Sequence, residues 1–332
     1  MHHVFKAFVV LSITALSFGS CSESDPKPVE KEIVAYVETF AGGSEGFEDG
    51  PLLSAKFKWP LQIIGSPSGN FYVLDQNRTA VRKISSDGMV STIYSNVSNI
   101  LDCIAVDEHE ILYISYGPFI LTVVNGNTEV LANGLDYYDE RYFHGVWSMA
   151  FHPDGNLYAT ESSNARIMKI SKAGEVSLYA GGQIGYADGN LADAKFSNRQ
   201  GMLIASNGDF YLADFNNYKF RKIAGGNVTT IAGTTHGNRD GPALQAAFGN
   251  PFYMARSEDG TIYLTGTEHH IRKISPDGNV STVAGGEPGF RDAVERSAQF
   301  FSPAGLALDD DENLYVADHY NNRIRKIVFK LE

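Results

Sequence analysis

Leu314-Tyr315-Val316-Ala317-Asp318-His319-Tyr320-Asn321-Asn322-Arg323-Ile324-Arg325-Lys326-Ile327 reads as two short strands around a polar turn. Apolar and polar residues alternate on either side of the turn, the two-residue period of a sheet. The same phrase recurs upstream. A strand centred on tyrosine returns at Tyr72, Tyr113, Tyr158, Tyr211, Tyr263 and Tyr315, with spacings of 41, 45, 53, 52 and 52 residues. Arg-Lys-Ile begins at Arg82, Arg221, Arg272 and Arg325, and Met168-Lys169-Ile170 echoes it.

Two further phrases complete the unit. One is a strand ending in Ala-Gly: Thr39-Phe40-Ala41-Gly42, Leu178-Tyr179-Ala180-Gly181, Thr230-Ile231-Ala232-Gly233 and Thr282-Val283-Ala284-Gly285. The other pairs an aspartate with a phenylalanine eight residues on: Asp49/Phe57, Asp188/Phe196, Asp240/Phe248 and Asp292/Phe300. Pro60, Pro251 and Pro303 follow three residues later, with Arg199 in the corresponding place of one copy. Turns such as Ser275-Pro276-Asp277-Gly278-Asn279 supply the positive φ angles that tight strand connections need. Each unit therefore holds four short strands, and units of 40 to 53 residues built this way are propeller blades. The chain opens with a lone fourth strand (34–41) and closes with a lone first-to-third set (306–328). Together they make one blade and remove the open edge. The expected fold is all-β: a six-bladed β-propeller of four-stranded blades, closed by the N-terminal strand.

The phrases resemble NHL repeats, and 314–327 is near that family's consensus. The resemblance covers residues 34–328. Blade 2 departs from it, with Tyr116 in place of the aspartate and Leu121-Thr122-Val123-Val124 in place of the basic strand. Blade 3 carries a long insertion at 133–142. Propellers of this family serve as protein, RNA or ligand platforms and occasionally as enzymes, so the fold alone does not assign a function.

Composition narrows the field. The 332 residues are 43% apolar, enough for a large core, and 27 basic against 39 acidic residues leave a formal net charge of -12. Phosphate backbones need clustered Lys and Arg, so nucleic acid is excluded as an expected partner. No apolar run of 18 or more residues exists, which rules out a multi-span membrane protein. His2, His3 and Lys6 precede an apolar stretch at 7–18, then Gly19, Ser20 and Cys21, the order of a secretory signal. This resembles a bacterial lipoprotein signal in which Cys21 becomes the lipidated first residue, although Phe18 stands where leucine is usual; a plain signal with a chance cysteine is the alternative. Ser22-Glu23-Ser24-Asp25 resembles the acidic tag of surface lipoproteins in Bacteroidota and equally suits a flexible tether. The expected organisation is a signal peptide at 1–20, a tether at 21–33 after the lipidated Cys21, and a propeller at 34–332. The expected address is the outer membrane, surface-exposed or else periplasm-facing, with the lipid as the only membrane contact. Cys103 lies in an apolar strand and reads as an inert buried thiol.

Strand order puts the second-to-third loops and the blade-to-blade loops on one face. That face collects Asp75, Tyr116, Glu161, Asp214, Gly266 and Asp318. At its central mouth, just before the inner strands, stand Trp59, Asn198, Arg199, Asn250 and Ser302. The aspartates preceding Asn77-Arg78, Asn216-Asn217 and Asn321-Asn322-Arg323 are expected to hold loop N–H groups and pair with the arginine. Asp49, Asp188, Asp240 and Asp292 are expected to cap the turn before each phenylalanine, and the phenylalanines to wedge between blades.

A zinc site is conceivable from His144, His236 and His319, which come from three blades; a propeller lyase that cleaves peptidyl hydroxyglycines uses histidines in this manner. His269 and His270 fall on opposite sides of an extended strand. Calcium, as in regucalcin- or paraoxonase-like lactonases, needs hard oxygen ligands, and Asp102 is the only nearby carboxylate. No cofactor is therefore expected, with Zn or Ca as the alternative. The insertion, with Tyr137, Tyr138, Tyr142 and then His144, suits sugar stacking or a protein contact. The function read from the sequence is a monomeric, non-catalytic platform for a glycan, peptide or envelope protein. Stacking would come from the tyrosines and Trp59, and hydrogen bonds from Asn198, Arg199 and Asn250. The alternative is a metal-dependent hydrolase or lyase at the same mouth.

Overall fold

The computed structural model describes residues 32–133, 145–161 and 163–332. Residues 33–332 form one compact unit of six sheets arranged as blades. Blade 1 runs from the inner strand Gln62–Gly65 through Phe71–Asp75 and Ala80–Ile84 to the outer strand Met89–Ser95. Every neighbouring pair is antiparallel, as hairpins with short turns dictate.

The ring closes as the repeat count requires. Blade 6 is built from Pro303–Leu308, Leu314–Asp318 and Arg323–Leu331, with Ile33–Gly42 as its outer strand. Val37 sits opposite Ile327 and Glu38 opposite Lys326, so the two ends of the chain share one ladder. Closure leaves no free sheet edge inside the ring.

Four blades carry a strand the repeats did not disclose. Gly50–Pro51, Gly189–Asn190, Gly241–Pro242 and Ala293–Val294 each add a two-residue fifth strand to an outer edge. They belong to the long Asp-Phe connection, which runs along the next blade before turning in. Blades 2 and 3 keep four strands.

Six apolar clusters fill the gaps between consecutive blades. Phe57, Phe196, Phe248 and Phe300 are all buried there, as expected of wedges. Phe57 packs with Ala41, Ala317 and Ile324 of blade 6 and with Val73 and Ile84 of its own blade. Burying such a side chain contributes about 2–3 kcal/mol. Near the axis the inner strands approach too closely for side chains: a Cβ at Gly201 would lie 1.9 Å from the Phe252 carbonyl oxygen.

Candidate functional site

The arginine of each Arg-Lys-Ile phrase is buried: Arg82, Arg221 and Arg325 have no exposed surface and Arg272 has 2%. Arg82 Nη1 donates to Asp75 at 3.0 Å and to the Lys56 carbonyl at 2.9 Å. Its Nη2 donates to Asp49 at 2.8 Å and to the Glu48 carbonyl at 2.7 Å. The guanidinium also lies between the rings of Phe47 and Phe57, at 4.7 and 5.1 Å. Arg221 repeats the arrangement with Asp214 and Asp188, and Arg325 with Asp318 and Asp292.

Two expectations are corrected by this geometry. The inner aspartates pair with the arginine seven residues on, because that side chain points inward from the adjacent strand; Arg78 and Arg323 are not their partners. The outer aspartates do not cap a turn. Asp49 accepts the Thr92 N–H at 3.0 Å and hydroxyl at 2.9 Å, tying the connection to the outer strand. Burial pulls the Asp49 carboxyl upward, but the Thr92 bonds and Arg82 outweigh it and leave it below the ordinary range.

The inner aspartates also shape the mouth. Asp75 accepts the Lys58 N–H at 2.8 Å, Asp214 the Ser197 N–H at 2.8 Å and Asp318 the Phe301 N–H at 2.8 Å. Each of those residues stands immediately before a mouth position. The chain then turns through left-handed backbone at Trp59 (φ 56°), Arg199 (φ 63°) and Ser302 (φ 53°). A bulky residue held there stores strain of about 1–3 kcal/mol, which persists only where surroundings enforce it. The enforcing contacts cross between blades: Trp59 N–H donates to Asn322 Oδ1 at 3.0 Å, and Ser302 N–H to His269 Nδ1 at 3.1 Å.

A cavity of about 210 Å³ opens at this mouth, lined by Leu61, Trp147, Phe252, Tyr253, Ser302, His319 and Tyr320 among others. Trp59 and His319 face each other with ring centroids 6.5 Å apart. The exposed Arg199 lies 5.2 Å over the Trp147 ring. Burial holds the His319 imidazole below its ordinary value, and its Nδ1 meets the Pro60 carbonyl at 3.1 Å. Burial also pushes the Tyr253 hydroxyl up.

Of the residues expected at the site, Trp59, Arg199, Ser302 and His319 gather at the mouth. Asn250 donates from its side chain to the Phe215 carbonyl at 3.2 Å, and Asn198 Oδ1 is buried without a hydrogen-bond partner. Tyr137, Tyr138, Tyr142 and His144 lie outside the described residues. Asp102 accepts the Gly117 N–H at 2.8 Å and lies 3.8 Å from Arg78, while His236 packs edge-on against Tyr218. His269 and His270 do point to opposite sides, one to Ser302 and one into the sheet. Among the described residues no three His, Cys, Asp or Glu side chains converge as a metal would require. Sequence reasoning set Trp147 beside the insertion loop near the mouth but missed Phe252, Tyr253 and Tyr320. Nothing in the repeats marks them, since they sit at variable positions whose convergence depends on ring closure.

The fold and mouth define a closed six-bladed β-propeller with an aromatic-lined entrance to its axis. The family model of the NHL repeat matches residues 300–327, and blades 1, 4 and 5 of this six-bladed propeller carry the same phrases. Residues of this chain are 26% identical over 318 positions to the chloroplastic protein SUPPRESSOR OF QUENCHING 1 of Arabidopsis thaliana, covering 88% of this chain. This chain spans only 27% of that protein's length. The crystal structure of an auxiliary nutrient binding protein from Bacteroides thetaiotaomicron superposes with a TM-score of 0.74 at 19% identity, over 90% of this chain and 77% of that one. One of the same description from Bacteroides ovatus gives 0.72 at 19% identity, over 91% and 78%. These likenesses are of fold.

Proposed function

We propose that this propeller is a non-catalytic binding protein that takes a glycan at its top mouth, and that it is held at the cell envelope through lipid on Cys21. The observation that carries the reading is the mouth itself: Trp147, Phe252, His319 and Tyr320 line a cavity of about 210 Å³, Trp59 stands beside His319 and Arg199 lies over Trp147. Flat aromatic faces stack on the C–H surfaces of sugar rings, and a few polar groups orient the hydroxyls. Strained, enforced backbone at Trp59, Arg199 and Ser302 suits a site pre-set for its ligand. The two Bacteroides nutrient binding proteins of the same fold support a binding role.

The chain has two tryptophans, and both belong to the mouth. Intrinsic tryptophan emission is therefore a reporter of this site. Titration with a panel of neutral oligosaccharides is expected to shift that emission saturably, and Trp147→Ala to weaken binding at least tenfold. Absence of an emission change and of binding heat across the panel would overturn the glycan reading.

A further inference from the structure

We propose a second small-molecule site on the opposite face, between blades 2 and 3, which takes a free alkylammonium ion. The repeats themselves supply the argument. On that face the central tyrosine of five blades is cross-strand neighbour to a lysine, and in four of them the lysine ammonium folds over the tyrosine ring beside a loop carboxylate. Lys326 lies 5.3 Å over Tyr315 and 3.8 Å from Asp309. Lys169 lies 5.7 Å over Tyr158 and 3.0 Å from Asp154, and Lys222 is 5.6 Å over Tyr211 and 2.8 Å from Asp209. Lys83 over Tyr72 beside Glu110 makes a fourth case.

Blade 2 keeps the tyrosine and the carboxylate and lacks the cation. Thr122 occupies the lysine's place opposite Tyr113. Asp107 holds its loop just as Asp309 does: it accepts the N–H groups of His109 at 2.9 Å and Ile111 at 2.8 Å and the Tyr113 hydroxyl at 3.3 Å. The corresponding outer-strand position is Leu131, where blades 6 and 3 carry the larger Phe40 and Tyr179. A cavity of about 300 Å³ opens at this spot, walled by Tyr113 and Phe151, floored by Leu131 and Leu157, with Asp107 and Glu108 at the rim. Lys172 of blade 3 also lines the cavity and lies against Gly155.

An aromatic face and a carboxylate that elsewhere hold an ammonium thus stand beside an open cavity. An organic cation is attracted both to the ring quadrupole and to the carboxylate, and the cavity has the size of a small-ligand pocket. The chemistry fixed by the repeat is that of a lysine side chain, an alkylammonium.

The test is titration of the protein with n-butylammonium chloride, followed by ligand-observed NMR, against pentan-1-ol as the neutral analogue. Saturable binding of the amine, at least tenfold tighter than the alcohol and without change in tryptophan emission, is expected. Thr122→Lys restores the repeat's own cation; it should keep the fold and weaken amine binding at least tenfold. Equal binding of amine and alcohol, unchanged amine binding in folded Thr122→Lys, a shift in tryptophan emission or no binding at all would each overturn the proposal.

Discussion

Asp75 and Arg82 form an ion pair at 3.0 Å in which neither side chain has any exposed surface, and the other oxygen of Asp75 holds the backbone beside Trp59. A pair desolvated this completely is costly to bring together and costlier to break, because the surviving charge is stranded in a low dielectric. The same residues set the blade and the mouth.

Breaking the equivalent pair in blade 6 with Asp318→Ala should therefore lower stability by about 3–5 kcal/mol, read from urea unfolding. Replacing both partners, Asp318→Leu with Arg325→Met, should recover most of the loss. Equal destabilisation by the single and double changes would show that the hydrogen bonds to the Phe301 N–H and the Gln299 carbonyl, not the charge, dominate.

Gly201→Ala should be as damaging as a core truncation, about 3 kcal/mol or more. Its Cβ would meet a backbone carbonyl of the next blade at 1.9 Å, and backbone cannot swing aside as a side chain can. Gly117→Ala is the contrast in space, since nothing lies within 4 Å of its added Cβ; its cost should be that of the positive φ alone, about 1 kcal/mol. Thermal unfolding of the pair checks both.

Blade 5 should give the protein an acid-sensitive step. Gly266 replaces the inner aspartate there, and His270 is buried beside Arg272 with Nε2 lacking a hydrogen-bond partner. Burial first, then the nearby Arg272 charge, lowers its pKa from 6.5 to about 4. The unfolded chain takes up a proton at higher pH than the folded one, so this contribution is complete above about pH 6.5 and falls as pH drops towards 4, by about 3 kcal/mol. His270→Ala, the residue blade 1 uses at Ala80, should flatten the stability profile across that window.

Cys103 should be silent towards Ellman's reagent in the folded protein and react on unfolding. It is 2% exposed, and burial pushes its thiol up, so little nucleophilic thiolate forms. A protein beginning at Val29 carries it as the only cysteine, which makes the assay unambiguous.

Anchoring through Cys21 predicts that cells given a radiolabelled fatty acid will label the chain and that Cys21→Ser will abolish the label. Protease treatment of intact cells separates a surface address from a periplasmic one.

Six copies of one strand pattern, with a displaced strand at the start, were enough to read the blade count and the closure. Periodicity is a local property, and each phrase carries its own turn chemistry. The buried aspartates were legible as structural, since Asp75, Asp214 and Asp318 recur at fixed places in the repeat. Which arginine they meet was not: Arg78 and Arg82 differ in the direction their side chains leave the strand, and only the register of adjacent strands resolves that. The fifth strands escaped notice because two residues such as Gly50 and Pro51 carry no periodicity. Trp147, Phe252 and Tyr253 come from positions far apart in sequence and meet only because the ring closes. The sequence alone thus determined the unit and its number. Tertiary structure decided what gathers at the axis, because convergence at a mouth is a property of the closed ring and not of any one blade.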